Sequence, residues 1–159
     1  MNQINFSYMG NVDIWNLPKT AFLCSDKYSA SSVLKSYDWA VEMKKQGRCV
    51  ISGFQSKIEK DVFEILLKGN QPIIWALSRS IYAKPPTKYT SHIEASRLLI
   101  ISQFQKSETI PHSNRAFERN QYIINHADEI VIAHITPGGK IEKLLPKNIK
   151  QIKILDLGE

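Results

Sequence analysis

Cysteine is scarce in this chain: Cys24 and Cys49 are the only two. Neither stands at ligand spacing from another Cys or a His, so the sequence offers no zinc site and no other metal set. Both lie in apolar, strand-like runs, which suits buried thiols in a reducing cytoplasm better than a disulfide. Long apolar runs are also missing. None approaches the roughly 20 residues that a membrane helix needs, so no membrane partner is expected. The opening residues, MNQINFSYMGN, lack a basic region followed by an apolar stretch, which excludes a secretory signal there. No G-x-G-x-x-G occurs, so the usual dinucleotide fingerprint is absent and no cofactor is expected. Ser, His and Asp are present without a nucleophile elbow or triad spacing, so no catalytic residue is assigned. His92, His112, His126 and His134 are scattered. Only His134 ends a strand-like run, where an acid or base would be useful.

What remains is ordinary globular material, 43% hydrophobic and 23% charged over 159 residues. That length suits one domain, 1–159, with 1–18 as an N-terminal arm or short helix. The formal charge is +6, which permits an anionic partner without naming one. Part of the excess is late. Lys140, Lys143, Lys147, Lys150 and Lys153 face only Glu142, a pattern that reads as a solubilising face or as a phosphate-tracking patch.

Short apolar runs alternate with helical periods along the chain. Strands are expected at Thr20–Cys24, Arg48–Ser52, Pro72–Leu77, Arg97–Ser102, Glu129–His134 and Ile152–Leu157. Between the first two, Ser29, Ser31 and Ser32 supply capping side chains and Gly47 a stop. A second helix carries Ile58, Val62, Ile65 and Leu66 on one face, and Thr87–Ala95 is a short third. The last begins near a cap at Ser113 or Asn114 and runs through Phe117 to His126. This alternation predicts an α/β, Rossmann-like three-layer domain with a mainly parallel sheet of about five or six strands. In such sheets ligands bind at the carboxyl ends of the strands, where the order reverses. Arg119 and Asn120 fall in the first turns of the last helix, where free N–H groups attract anions and an arginine adds a planar charged fork. The corner Ser52-Gly53 lets backbone N–H groups approach a phosphate.

The run Phe117–His134, FERNQYIINHADEIVIAH, resembles the F-x-x-R-N-R-I-I-A-G-L-S-D-x-V-x-V-V-E segment of the DNA-processing protein A (DprA/Smf) family. Phe117, Arg119, Asn120, Ile123, Ile124, Asp128, Val131 and Ile132 match. VISGFQSKIE, residues 50–59, is similar to that family's V-V-S-G-x-A-x-G-I-D, with Ser52, Gly53 and Ile58 in place and Glu59 for Asp. The resemblance spans about Thr20 to Gly139. It implies a phosphorylated ligand, single-stranded DNA or a nucleotide, bound without catalysis, in a protein with room for a homodimer. The implied site takes in Ser25 after the first strand, Ser52, Gly53 and Lys57 after the second, and Arg119 with Asn120. Phe54 and Tyr82 are the aromatic candidates for stacking bases.

Several positions depart from the pattern. The family's Gly-Ser-Arg after the first strand is Cys24-Ser25-Asp26 here, so a carboxylate replaces a phosphate-binding arginine. Lys57 replaces a glycine, and is expected to take over the lost charge, on a phosphate or paired with Asp26. Gln103 and His134 stand where the family has glutamates. Pro137-Gly138-Gly139 is similar to the opening of the P-G-G-x-G-T-x-x-E loop of LOG-type phosphoribohydrolases, although Ile141 and Glu142 replace its later Gly and Thr. Gly138 and Gly139 therefore join the candidate phosphate site. That likeness implies an alternative function, cleavage of a nucleoside 5'-monophosphate. A third is a degenerate domain that only contacts other proteins.

Overall fold

The computed structural model describes residues 4–110, 112–145 and 151–156. Seven strands form one sheet: β1 (Ser7–Met9), β2 (Lys19–Leu23), β3 (Cys49–Ser52), β4 (Ile73–Ala76), β5 (Leu98–Ser102), β6 (Glu129–Ile132) and β7 (Gln151–Ile154). Their order is β1-β5-β4-β3-β2-β6-β7. All neighbours pair in parallel except β1, which runs antiparallel to β5 at the edge. The five or six strands expected become seven because the N-terminal arm itself supplies β1. The expected sixth strand is β7; its last residue, Leu157, lies outside the described residues, as do Lys147 and Lys150.

Parallel strands covered on both faces must be apolar at every position, with alternate side chains going to opposite layers. That is what these runs do. Phe22, Val50, Ile73, Leu98, Ile100 and Val131 enter one core. Ala21, Leu23, Ile51, Ile74, Leu99, Ile101, Ile130 and Ile132 enter the other. The first core is closed by α1 (Ala30–Gln46) and α2 (Lys57–Leu67), which pack side by side, and by the short α3 (Thr90–Glu94). The second is closed by a 3-10 helix (Val12–Asn16), α4 (Ser113–His126) and the short α5 (Lys140–Leu144). Each fully buried aliphatic side chain contributes about 1.5–3 kcal/mol relative to exposure. The paired layers are therefore the main source of stability.

Local signals set the helix limits. Ser29 caps α1 in a reciprocal capping box with Ser32, and Gly47 ends it in the left-handed conformation, φ 69°. Ser56 and Glu59 form the same box on α2. Gly10 must be glycine for two reasons. Its φ is +107°, and a Cβ there would meet the Leu98 carbonyl oxygen at 2.4 Å. It turns the chain from β1 into the 3-10 helix, whose Trp15 meets Phe6 at 4.9 Å and Tyr122 at 6.1 Å between ring centres.

The connections fix where a ligand can enter. From β2 the chain steps outward through β3, β4 and β5, then crosses back through α4 to place β6 on the other side of β2. The order reverses between β2 and β6. Loops leaving those two strands diverge and open a crevice at their carboxyl ends. No helix among the described residues is long and apolar enough to cross a membrane.

Candidate functional site

A cleft of about 670 Å³ occupies that crevice. This is within the range of about 300–1,000 Å³ usual for small-molecule sites. The loop after β2 contributes Cys24, Ser25, Asp26 and Lys27. The loop into α2 and the first turn of that helix contribute Gln55, Ser56 and Glu59. The first half of α4 supplies Arg119 and Asn120 among others, and Thr136, Gly139 and Lys140 close it from the β6 side.

Arg119 is the central cation. It is 4% exposed, and its guanidinium lies flat against Gly53. A Cβ on Gly53 would fall 2.2 Å from the guanidinium carbon, so only glycine leaves room. Arg119 Nε donates to Asn120 Oδ1 at 2.9 Å, and Nη1 points at the Ala76 carbonyl at 3.4 Å. These contacts hold the fork over the ends of β3 and β4. Burial lowers the Arg119 pKa, and the Glu59 carboxylate pulls it back up. An arginine stays protonated regardless, so a desolvated positive charge sits on the cleft wall.

Glu59 is its counterweight, 4% exposed itself. Its carboxylate accepts the Cys24 N–H at 3.1 Å, the Gln55 N–H at 3.0 Å and the Ser56 N–H at 3.3 Å. It thereby ties the end of β2 to the start of α2. Nearby, burial first and the Glu59 charge second push the Cys24 thiol up to about 12. Both effects favour the neutral thiol at Cys24.

The structure sorts the sequence candidates. Ser25, Arg119, Asn120 and Gly139 line the cleft, and Gly53 forms the floor under the guanidinium. Ser25 Oγ accepts the Thr136 N–H at 3.1 Å, bracing the two loops. Ser52 is fully buried and its hydroxyl is occupied by the Phe54 N–H at 3.1 Å. Gly138 is exposed outside the cleft, and its N–H goes to Glu142 at 2.8 Å. Lys57 does not replace the lost arginine. It is 70% exposed and pairs with Asp61, one turn along α2, at 2.9 Å. Lys57→Ala should leave ligand affinity unchanged within about twofold, measured by titration, because an exposed pair of this kind contributes little.

Four further expectations are corrected. Arg119 is the seventh residue of α4, past the four positions with free N–H groups, so it acts by its own charge and not through the helix terminus. The residue preceding that helix is His112, not Ser113 or Asn114, and its side chain makes no capping bond. Phe54 is no stacking platform. Its backbone turns at φ 47°, and its buried ring stacks on Phe63 at 4.1 Å. Tyr82 lies off the cleft, with Arg79 over its ring at 4.5 Å. Sequence reasoning gave Glu59 no role in the site. The capping-box spacing Ser56-x-x-Glu59 was the available signal. It also passed over Lys27 at the rim, and took Lys140 only as part of the late lysine run, not as a residue of this cleft.

A doubly wound α/β domain with a ligand cleft at its switch point is the class that fold and site define. The chain belongs to the DNA recombination-mediator protein A family, whose profile matches residues 3–139. Among solved structures it resembles DNA processing protein A from Helicobacter pylori, described for its single-stranded DNA binding mode. The TM-score is 0.61 at 23% identity, over 79% of this chain and 58% of that one. DNA processing protein A from Streptococcus pneumoniae gives a TM-score of 0.67 at 18% identity, over 86% and 50%. The molybdenum cofactor binding protein of Rippkaea orientalis shares the fold, with a TM-score of 0.57 at 12% identity over 87% and 76%. The chain thus spans 58% and 50% of the lengths of the two DNA processing proteins. A search of curated protein sequences returns no match.

Proposed function

We propose that the switch-point cleft binds the phosphate backbone of single-stranded DNA, without catalysis. The observation that carries the reading is Arg119, a buried, rigidly held guanidinium on the wall of the cleft. A fork of this kind prefers an oxyanion, and low local dielectric strengthens the bond. Family membership and the Helicobacter pylori relative, which binds single-stranded DNA, support the choice of anion. Lys27 and Lys140 at the rim extend the positive surface outward. The same geometry supports a reading without catalysis. Glu59 spends its oxygens on three backbone N–H groups, and Cys24 keeps its proton.

A mononucleotide is the second reading, favoured by one feature. Asp26 lines the cleft and would repel a second phosphate brought past it. Titrating an oligothymidylate and a panel of nucleoside monophosphates at two salt concentrations separates the two. For single-stranded DNA the affinity should fall steeply with salt, its logarithm dropping by about 0.7 per phosphate contacted for each tenfold rise in salt. A mononucleotide would give a shallow slope and one ligand per chain. Release of free base during the same titration would turn the reading toward a phosphoribohydrolase.

A further inference from the structure

Two loops wall the cleft at the switch point, 24–29 after β2 and 133–139 after β6. They touch directly through the Ser25 N–H and the His134 carbonyl, at 3.0 Å, and through Thr136 N–H and Ser25 Oγ. A third segment grips both from behind. Asp156, just beyond β7, is 3% exposed. Its Oδ2 accepts the Ser29 hydroxyl and lies 3.2 Å from His134 Nδ1, while its backbone N–H donates to the Ala133 carbonyl at 3.2 Å. Ser29 is also the cap of α1 and accepts the Ser32 N–H at 3.1 Å. A hydroxyl has one proton and two lone pairs, so capping and donation to Asp156 coexist. A charged acceptor makes that donation the strong one.

The residue opposite fits this arrangement. His134 turns the contact into a donor–acceptor pair. Asp156 itself lies beyond residue 139, where the family match ends.

We infer that Asp156 is a positioning residue for the cleft. By bonding Ser29 on one loop and His134 on the other, it fixes their separation. It thereby fixes where Ser25, Asp26, Thr136 and Gly139 face a ligand. The contacts stand by themselves; the consequence for binding rests on the cleft being the ligand site.

Amide hydrogen exchange of the wild-type chain, Asp156→Ala and Asp156→Asn tests this. In Asp156→Ala the Ser25 and Thr136 amides should exchange about tenfold faster or more, while Ile51 and Ile74 in the central strands keep wild-type protection. Asp156→Asn, whose amide oxygen still accepts the Ser29 hydroxyl, should restore much of the difference. His134→Ala is a second variant should Asp156→Ala not fold, and it should loosen Thr136 in the same way. Unchanged exchange at Ser25 and Thr136 would overturn the inference. So would an equal loss of protection in the central strands, since Asp156 would then be a general structural residue. Oligothymidylate affinity is read on the same samples and should drop about fivefold in Asp156→Ala. Failure of the wild-type chain to bind the oligonucleotide would overturn the proposed function instead, and the exchange data would still decide the role of Asp156.

Discussion

Arg119→Ala should weaken oligothymidylate binding by about tenfold or more, the equivalent of one charge-assisted hydrogen bond. The size follows from burial. An exposed lysine such as Lys57 shares its charge with water and with Asp61, whereas Arg119 is held dry between Gly53 and α4. Its fork is already oriented by Asn120, so little rotamer entropy is lost when an anion arrives. Arg119→Lys should recover part of the loss, because it restores the charge and not the planar pair of donors. Thermal melting of each variant distinguishes lost binding from lost folding. Wild-type affinity in a folded Arg119→Ala protein would show that the ligand binds elsewhere.

Glu59→Ala should cost about 3 kcal/mol of stability, read as a lower urea midpoint at unchanged slope. Three backbone N–H groups lose their acceptor at once. The buried Arg119 also loses the negative charge that offsets its desolvation. Glu59→Gln keeps an acceptor oxygen and should be milder. A stability change under about 0.5 kcal/mol for Glu59→Ala would mean that water, and not the carboxylate, satisfies those donors.

Much of this fold can be read from the sequence, because a buried parallel strand has few ways to look. Thr20–Cys24 and Arg48–Ser52 are short apolar runs between helical periods, and they become β2 and β3 with one-residue shifts. Ser29 and Gly47 mark the ends of α1 by capping chemistry alone. β1 could not be seen. Three residues, Ser-Tyr-Met, carry no period, and only the edge of β5 makes them a strand. Strand order is likewise a tertiary fact, and the switch point between β2 and β6 depends on it.

The site was half legible for a similar reason. Ser25, Gly53 and Arg119 stand at strand ends or face them across the sheet, so a correct strand assignment carries them to the cleft. Lys57 failed on helix phase. The capping box turns Glu59 inward, and two positions earlier on α2, about 200° around the axis, the side chain faces solvent. Phe54 failed on one backbone angle, the left-handed turn that sends its ring into the core. The role of Asp156 could not be read at all. It depends on a segment distant in sequence from both of its partners, Ser29 and His134.

The central claim is that the ligand enters at the carboxyl ends of β2 and β6. A crystal structure of the chain with a short oligothymidylate tests it most directly. A phosphate is expected within hydrogen-bond distance of the Arg119 guanidinium, between the loop after β2 and Gly139. An oligonucleotide seated instead at the opposite end of the sheet, on the groove of Lys44, Lys45 and Lys68, would contradict it.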